Sequence, residues 1–92
     1  MKSVSRPLLA LRIAAWLLDN PGLERVAMAQ RVAGRLLKTP ARQGVVEAQR
    51  RFGLLLCQRC GGNRDRRIGQ QFLRQAARAG DARAIQALTG GI

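Results

Sequence analysis

The chain has 92 residues and a formal net charge of +12, with 47% apolar residues and only 3% aromatic ones. This apolar share excludes an intrinsically disordered chain, and the length suits one small domain. Few β-branched and aromatic residues are present, which disfavours a sheet. A charge of this size attracts anionic partners such as nucleic acid, an acidic protein or a membrane surface. It also raises solubility, and a GC-rich genome alone produces arginine-rich chains, so the charge by itself does not decide between a functional and a background origin.

The first residues, MKSVSRPLLALRIAAWLL, faintly imitate a signal peptide. Arg12 interrupts the apolar stretch, however, and no small-residue cleavage site follows it. The longest uncharged apolar run, from Ile13 to Leu18, is too short to span a bilayer. We therefore expect a cytoplasmic protein.

Apolar residues recur at helical spacing along almost the whole chain and predict five helices with no β-sheet. The predicted helices run from Pro7 to about Leu18, from about Pro21 to Lys38, from about Val45 to Arg59, from Asn63 or Asp65 to about Ala79, and from a cap at Asp81 to Gly90. Pro40 is expected to stop or kink helix two, since proline lacks the amide hydrogen and clashes one turn back. Gly44 and Gly80 mark turns, and GGN at residues 61–63 is the clearest break.

Each predicted helix has an apolar side that we expect to face the core. In helices one and two these residues are Leu9, Ile13, Trp16, Leu17, Leu23, Val26, Val32, Ala33, Leu36 and Leu37. In helices three to five they are Ala48, Phe52, Leu55, Leu56, Ile68, Phe72, Leu73, Ala76, Ala84, Ile85 and Leu88.

The second half of the chain repeats the first at an offset of 36 residues. Without a gap, the offset places Gly44 on Gly80, Ala48 on Ala84, Phe52 on Leu88, Val32 on Ile68, Leu36 on Phe72, Leu37 on Leu73, Ala41 on Ala77 and Arg42 on Arg78. A fixed period of this size is typical of stacked helical repeats, because one helix pair cannot bury its apolar face alone. The sequence therefore predicts a short α-α superhelix of helix pairs.

The spacing within the second copy resembles the Sel-one-like repeat (SLR) family, a relative of the tetratricopeptide repeat. The matching positions are Ala48, Phe52, Gly53, Gly61, Gly62, Asp65, Phe72, Ala76, Ala77, Gly80, Ala82, Ala84 and Leu88. The departures from the family pattern are Pro40, Leu56, Gly69 and Thr89. The resemblance implies one helical-repeat domain over residues 1–92. Residues 1–28 would hold a capping helix and the start of helix two, residues 29–53 a degenerate repeat, and residues 48–90 the clearest repeat.

The resemblance also implies an adaptor rather than a catalyst, with a binding surface formed by the first helix of each pair. In this chain those are helices three and five, and the candidate exposed contacts are Arg50, Arg51, Leu54 and Arg83. Solenoids usually need three or more repeats, and this chain has about two. We therefore expect an incompletely covered end that self-association or a partner closes.

The motif CQRC, Cys57 to Cys60, has the spacing of zinc and redox sites. One CxxC without any histidine does not make a four-ligand zinc site, so these cysteines are weak metal candidates. A thioredoxin-like thiolate needs a helix N-terminus, whereas this motif lies at a predicted helix C-terminus. A half-buried structural pair is favoured, with an intersubunit metal or disulfide site and redox catalysis as alternatives. No cofactor is expected.

Arginines cluster around the start and along one side of helix four, where GGNRDRR occupies residues 61–67. The candidate anion contacts are Arg64, Arg66, Arg67, Arg74 and Arg78. Such a surface could follow phosphates, or it could be a solvated helix face. The aromatic residues that would stack on bases are all expected in the core, which disfavours base recognition.

The sequence contains no histidine, and its five acidic residues are far apart, so no catalytic constellation is visible. It predicts a non-enzymatic protein-protein interaction module that binds an acidic protein or peptide. The alternative is a basic protein that binds nucleic-acid phosphates through its arginine-rich face. A third, weaker alternative is a metal or redox protein that depends on the CxxC motif.

Overall fold

The computed structural model describes residues 6–20, 22, 27–58 and 62–90. These residues form five α-helices and no strand. The helices are α1 (Arg6–Asp19), α2 (Ala27–Arg42), α3 (Val46–Gln58), α4 (Asn63–Arg78) and α5 (Ala82–Thr89). The all-α fold predicted from the sequence is thereby confirmed, and in the described part of the chain no helix is long and apolar enough to cross a bilayer.

Apart from α2, helix boundaries agree with the predicted ones to within a few residues. Helix α2 continues through Pro40 to Arg42, so the expectation that Pro40 stops it near Lys38 was wrong. The helix stops two residues after the proline, so the missing amide removes a hydrogen bond only in the last turn. The ring of Pro40 is fully buried. The predicted start at Pro21 and the core positions Leu23 and Val26 lie outside the described residues.

The turns after α2 and α4 have the same backbone geometry. Gly44 and Gly80 adopt left-handed φ angles of 91° and 95°. At the first turn, the amide of Gly44 donates to Ala41 and the amide of Val45 donates to the carbonyl of Pro40. At the second, Gly80 donates to Ala77 and Asp81 donates to Ala76. Both are Schellman caps, which favour glycine because the left-handed region is costly for other residues. The 36-residue offset is therefore also present in the backbone.

The helices form two layers. Helices α1, α3 and α5 lie side by side in the first layer, while α2 and α4 pack against their neighbours in the chain to form the second layer. The contacts of Gln49 with Ala41 and with Gln75 connect α3 to both second-layer helices. Gly53 meets Gly69, and Cys57 meets Arg66, so α4 runs antiparallel to α3. Likewise α2 runs antiparallel to α3, since Ala41 meets Gln49 and Gly34 meets Leu55. Helices α2 and α4 therefore point in the same direction.

The core is built mainly from small residues and leucines. Of the predicted core positions, Ala33, Leu37, Ala48, Phe52, Leu55, Leu73, Ala76 and Ala84 are buried, and Leu17, Leu36, Leu56, Ile68, Phe72 and Leu88 are half-buried. Gln49, which the apolar pattern passes over, is buried as well. Its Nε2 donates to Gln75 Oε1 at 2.9 Å, so the polar side chain is satisfied as burial requires.

Five predicted core residues are instead exposed: Leu9, Ile13, Trp16, Val32 and Ile85. In α1 the buried residues are Leu11 and Ala14, which lie on the opposite side of the helix from Ile13 and Trp16 at about 100° per residue. This helix is apolar on nearly all sides, so its periodicity does not select the face that packs. Val32 and Ile85 lie at the edge of their helices' buried faces.

Two glycines allow α3 and α4 to approach until their backbones touch. A Cβ placed on Gly69 would lie 2.7 Å from the carbonyl oxygen of Gly53 and 2.8 Å from Cys57 Sγ. A Cβ on Gly53 would lie 2.7 Å from the carbonyl oxygen of Gly69. Next to this crossing, the rings of Phe52 and Phe72 meet edge to face with centroids 5.2 Å apart, a geometry that aromatic pairs prefer.

We predict that Gly69→Ala lowers the free energy of unfolding by about 1–3 kcal/mol, because the new methyl group meets backbone atoms that cannot move aside. Gly34→Ala is the matched control. It is also a mid-helix glycine, but its added Cβ meets only the end of the Leu55 side chain, at 3.3 Å. The control should be neutral or stabilising by up to about 1 kcal/mol, the helix-propensity gain of alanine. Urea denaturation of both variants measures the difference, and equal midpoints would contradict the tight crossing.

Candidate functional site

Two of the predicted partner contacts, Arg50 and Arg51, are engaged inside the fold. Arg50 Nε donates to Asp81 Oδ2 at 3.1 Å, which links α3 to the start of α5. Arg51 donates to both carboxylate oxygens of Asp19, at 3.0 and 3.2 Å, and its Nε donates to Glu47 at 2.8 Å. Their side chains are only 12% and 14% exposed, so the expectation that they are exposed was wrong. The acids that hold them are distant in sequence or one helical turn away.

The electrostatics of these pairs follow from the same contacts. The Arg51 hydrogen bond lowers the pKa of Asp19 more than partial burial raises it. Burial on its own would raise the pKa of Asp81, but the amide of Ala84 and the guanidinium of Arg50 outweigh it, and the net pKa is lowered. Asp81 therefore stabilises the fold as a carboxylate that caps α5 through Ala84 and binds Arg50.

The other two predicted contacts, Leu54 and Arg83, differ in their exposure. Leu54 is half-buried and packs against the cluster that contains Leu73 and Ala84, so the expectation that it is exposed was also wrong. Arg83 is exposed on α5, as predicted. The four residues therefore do not form one open surface.

An exposed apolar face instead lies on α1. It consists of Leu9, Ile13 and Trp16, which are 49%, 43% and 60% exposed, together with the exposed Arg12. We refer to these four residues as the α1 outer face. They lie opposite the side that carries Leu11. Among the described helices, α1 packs chiefly against α2 and α3, so this face lies at one end of the described stack.

Four of the five candidate anion contacts share one side of α4. Arg64, Arg67, Arg74 and Arg78 are exposed, and at about 100° per residue they fall within one quarter of the helix circumference. We refer to them as the α4 stripe. Arg66 is exposed but lies away from the stripe, on the flank where its carbonyl accepts from the Cys57 thiol at 3.7 Å. Gln71 and Gln75 complete the stripe side, and together with Arg74 and Arg78 they line an open groove of about 400 Å³.

A second stripe, not predicted from the sequence, lies on α2. It consists of Arg31, Arg35, Lys38 and Arg42, all exposed. The 36-residue offset places Arg31 on Arg67, Lys38 on Arg74 and Arg42 on Arg78. Extending the repeat comparison from core to surface positions would have revealed this α2 stripe. Neither stripe forms an ion pair with any residue in the described ranges, where the paired arginines are Arg50 and Arg51.

The described cysteine is in the interior. Cys57 is buried in the cluster around Leu73, and burial raises the pKa of its thiol. A buried thiol with a raised pKa is a poor nucleophile and a poor metal ligand at neutral pH. Cys60 lies outside the described residues. Within the described part of the chain no group of three or more histidine, cysteine or acidic residues is placed to hold a metal ion.

The loop before α4 is described from Gly62 onward, and Gly61 lies outside the described residues. Gly62 is the extended N-cap residue of α4 and supplies no side-chain cap. Asp65, in the first turn, is the acidic residue of this helix and lies on the flank away from the α4 stripe.

Comparison with known proteins gives no match. No protein-family model, no curated protein and no solved structure matches the chain. Inferences about function therefore rest on the residues and surfaces described above.

We predict that Asp81→Asn lowers the free energy of unfolding at pH 7 by about 1 kcal/mol, the upper end for an ion pair with some solvent exposure. Asparagine still caps α5, so the change removes mainly the charge. Because the folded pKa of Asp81 is lowered, its contribution is complete above the unfolded pKa, near 4. The contribution is lost as the pH falls through the still lower pKa of Asp81 in the folded protein. The free energies of unfolding of variant and native protein should therefore become equal at that pH.

Urea denaturation at pH 7 and at pH 3 or below measures this convergence. Asp65→Asn is the control, since Asp65 forms no ion pair with the described residues. If Asp81→Asn lowered the free energy of unfolding by the same amount at both pH values, the electrostatic role of Asp81 would be contradicted.

Proposed function

We propose that the chain is a non-enzymatic interaction module built from SLR-like helical repeats, and that it binds an acidic protein or peptide on the α1 outer face. The observation that carries this proposal is the exposure of Leu9, Ile13 and Trp16 on a helix whose opposite side is buried. The repeated Schellman turns at Gly44 and Gly80 support the repeat assignment. The residue matches quoted from Ala48 to Leu88 support the resemblance to SLR proteins.

The α1 outer face has the composition of a protein-binding surface. Grouped apolar side chains on a soluble domain commonly mark interaction sites. Trp16 is the chain's single tryptophan, and tryptophan is among the residues that contribute most to binding energy when a partner covers them. Ile13 and Leu9 lie one and two turns before it on the same side.

Charge supports an acidic partner. Arg12 lies within the α1 outer face, where it can pair with a carboxylate at the rim of an apolar contact. The net charge of +12 accelerates encounter with acidic molecules and opposes the approach of a second copy of the chain. A partner with an apolar ridge and flanking acidic residues fits these features.

The proposal includes no catalytic step. The sequence offers no histidine as a general base, and burial of Cys57 disfavours thiolate chemistry. Among the described residues, nothing supports the metal or redox alternative.

We predict that a photo-crosslinking amino acid at Ile13 captures a discrete acidic protein in cells of the natural host. The same amino acid at Gln86, exposed on α5, is the matched control and should not capture it. With the purified partner, Trp16→Ala should weaken binding at least about 30-fold, the loss expected for an energetically dominant residue. Arg83→Ala should leave binding nearly unchanged.

Three outcomes would contradict the proposal. These are equal crosslinking at both positions, an adduct of twice the chain's mass, and a captured protein whose affinity does not change with Trp16→Ala. Circular dichroism of each variant checks that the helices remain folded.

A further inference from the structure

Most of the described acidic side chains lie in the first layer, and most of the described unpaired basic side chains lie in the second. Of the described acids, Asp19, Glu47 and Asp81 are all committed to Arg50 or Arg51 of α3. Helix α2 contains four basic residues and no acid, and α4 contains five basic residues and one acid. Unpaired positive charge is therefore concentrated in the second layer.

The two stripes lie on the same side of the molecule. The buried residues of α2 and α4, such as Leu37 and Leu73, face the first layer. The α2 and α4 stripes lie on the opposite side of each helix. Because both helices point in the same direction, the stripes run side by side, about 16 Å and about 21 Å long at 1.5 Å per residue.

From this arrangement we infer that the outward side of the second layer binds duplex nucleic acid through its phosphates. The inference concerns a different surface from the α1 outer face and does not depend on the proposed protein partner.

The composition of α4 favours phosphates over a protein or a membrane. Apart from Asn63 in the first turn, its outward positions carry arginine and glutamine: Arg64, Arg67, Gln71, Arg74, Gln75 and Arg78. Protein interfaces usually contain a buried apolar centre, and membrane-surface helices insert apolar side chains. This face of α4 has neither, whereas arginine and glutamine are common donors to phosphate oxygens, and arginine binds them with two parallel hydrogen bonds.

The dimensions favour a duplex, bound without base recognition. Over about 21 Å of its axis, a duplex presents about twelve phosphate charges, more than the eight cations of the two stripes. Neither stripe contains an aromatic side chain on which unpaired bases could stack. Phosphate contacts position a protein on the duplex without reading its sequence, so binding should be independent of sequence and strongly dependent on salt.

Fluorescence anisotropy of a short labelled duplex, titrated with the purified, nucleic-acid-free chain from about 50 to 200 mM salt, tests the inference. If all eight stripe cations engage, the slope of log affinity against log salt is about −7, which corresponds to a loss of about 10⁴-fold across this range.

Three triple variants separate the stripes from general charge. One removes the α4 stripe (Arg67→Gln, Arg74→Gln, Arg78→Gln), and one removes the corresponding positions of the α2 stripe (Arg31→Gln, Lys38→Gln, Arg42→Gln). The matched control changes exposed arginines elsewhere (Arg12→Gln, Arg66→Gln, Arg83→Gln). Each variant lowers the net charge of +12 by three, to +9.

Each stripe variant should make the slope shallower by about 2.5–3 and weaken binding at least tenfold, whereas the control should change the slope by less than about one. Equal effects of all three variants would overturn the inference, because binding would then follow net charge alone. If either stripe variant left the salt slope and the affinity unchanged, the two-stripe surface would be overturned. If polyglutamate bound as tightly as the duplex, the face would be assigned to an acidic protein instead. If vesicles of phosphatidylglycerol did so, it would be assigned to a membrane.

Discussion

The direct backbone contact between Gly53 and Gly69 sets the geometry on which the other features depend. Because neither residue has a side chain, the backbones of α3 and α4 approach so closely that an added Cβ would clash, and Phe52 meets Phe72 edge to face. The same crossing fixes the rotation of α4 about its axis. It therefore buries Leu73 and leaves the α4 stripe on the outside. In the sequence, Gly69 reads as a departure from a family alanine, whereas in the fold it is required by steric contact.

The helices and most of the core of α3 to α5 could be predicted from apolar periodicity, because each of these helices has one apolar and one polar side. The packing face of α1 could not, since Ile13 and Leu11 are equally apolar and only the position of α2 decides which of them is buried. The path of α2 through Pro40 also depends on its surroundings. The local rule that proline ends a helix considers only the neighbouring residues in the chain. It does not consider that Pro40 is buried in the core two residues before the helix ends.

The candidate site was predictable only in part, because the sequence pattern does not separate a paired arginine from an unpaired one. Arg51 and Asp19 are 32 residues apart and Arg50 and Asp81 are 31 apart, so their pairing appears only once the helices stack. By contrast, Arg74 and Arg78 lie on one helix, and their shared side follows from helical spacing alone. Asp19, Glu47 and Asp81 thus organise the first layer, and the arginines of the second layer form no ion pair with the described residues.

The matched turns at Gly44 and Gly80 bear on how such a chain can change its length. Each turn is closed by its own backbone hydrogen bonds. Adding one 36-residue unit between equivalent points would leave the geometry of both junctions intact. Each added unit would also bring its own outward helix with a new row of arginines. Gene duplication in such a chain would extend the positively charged surface in the same steps as the fold.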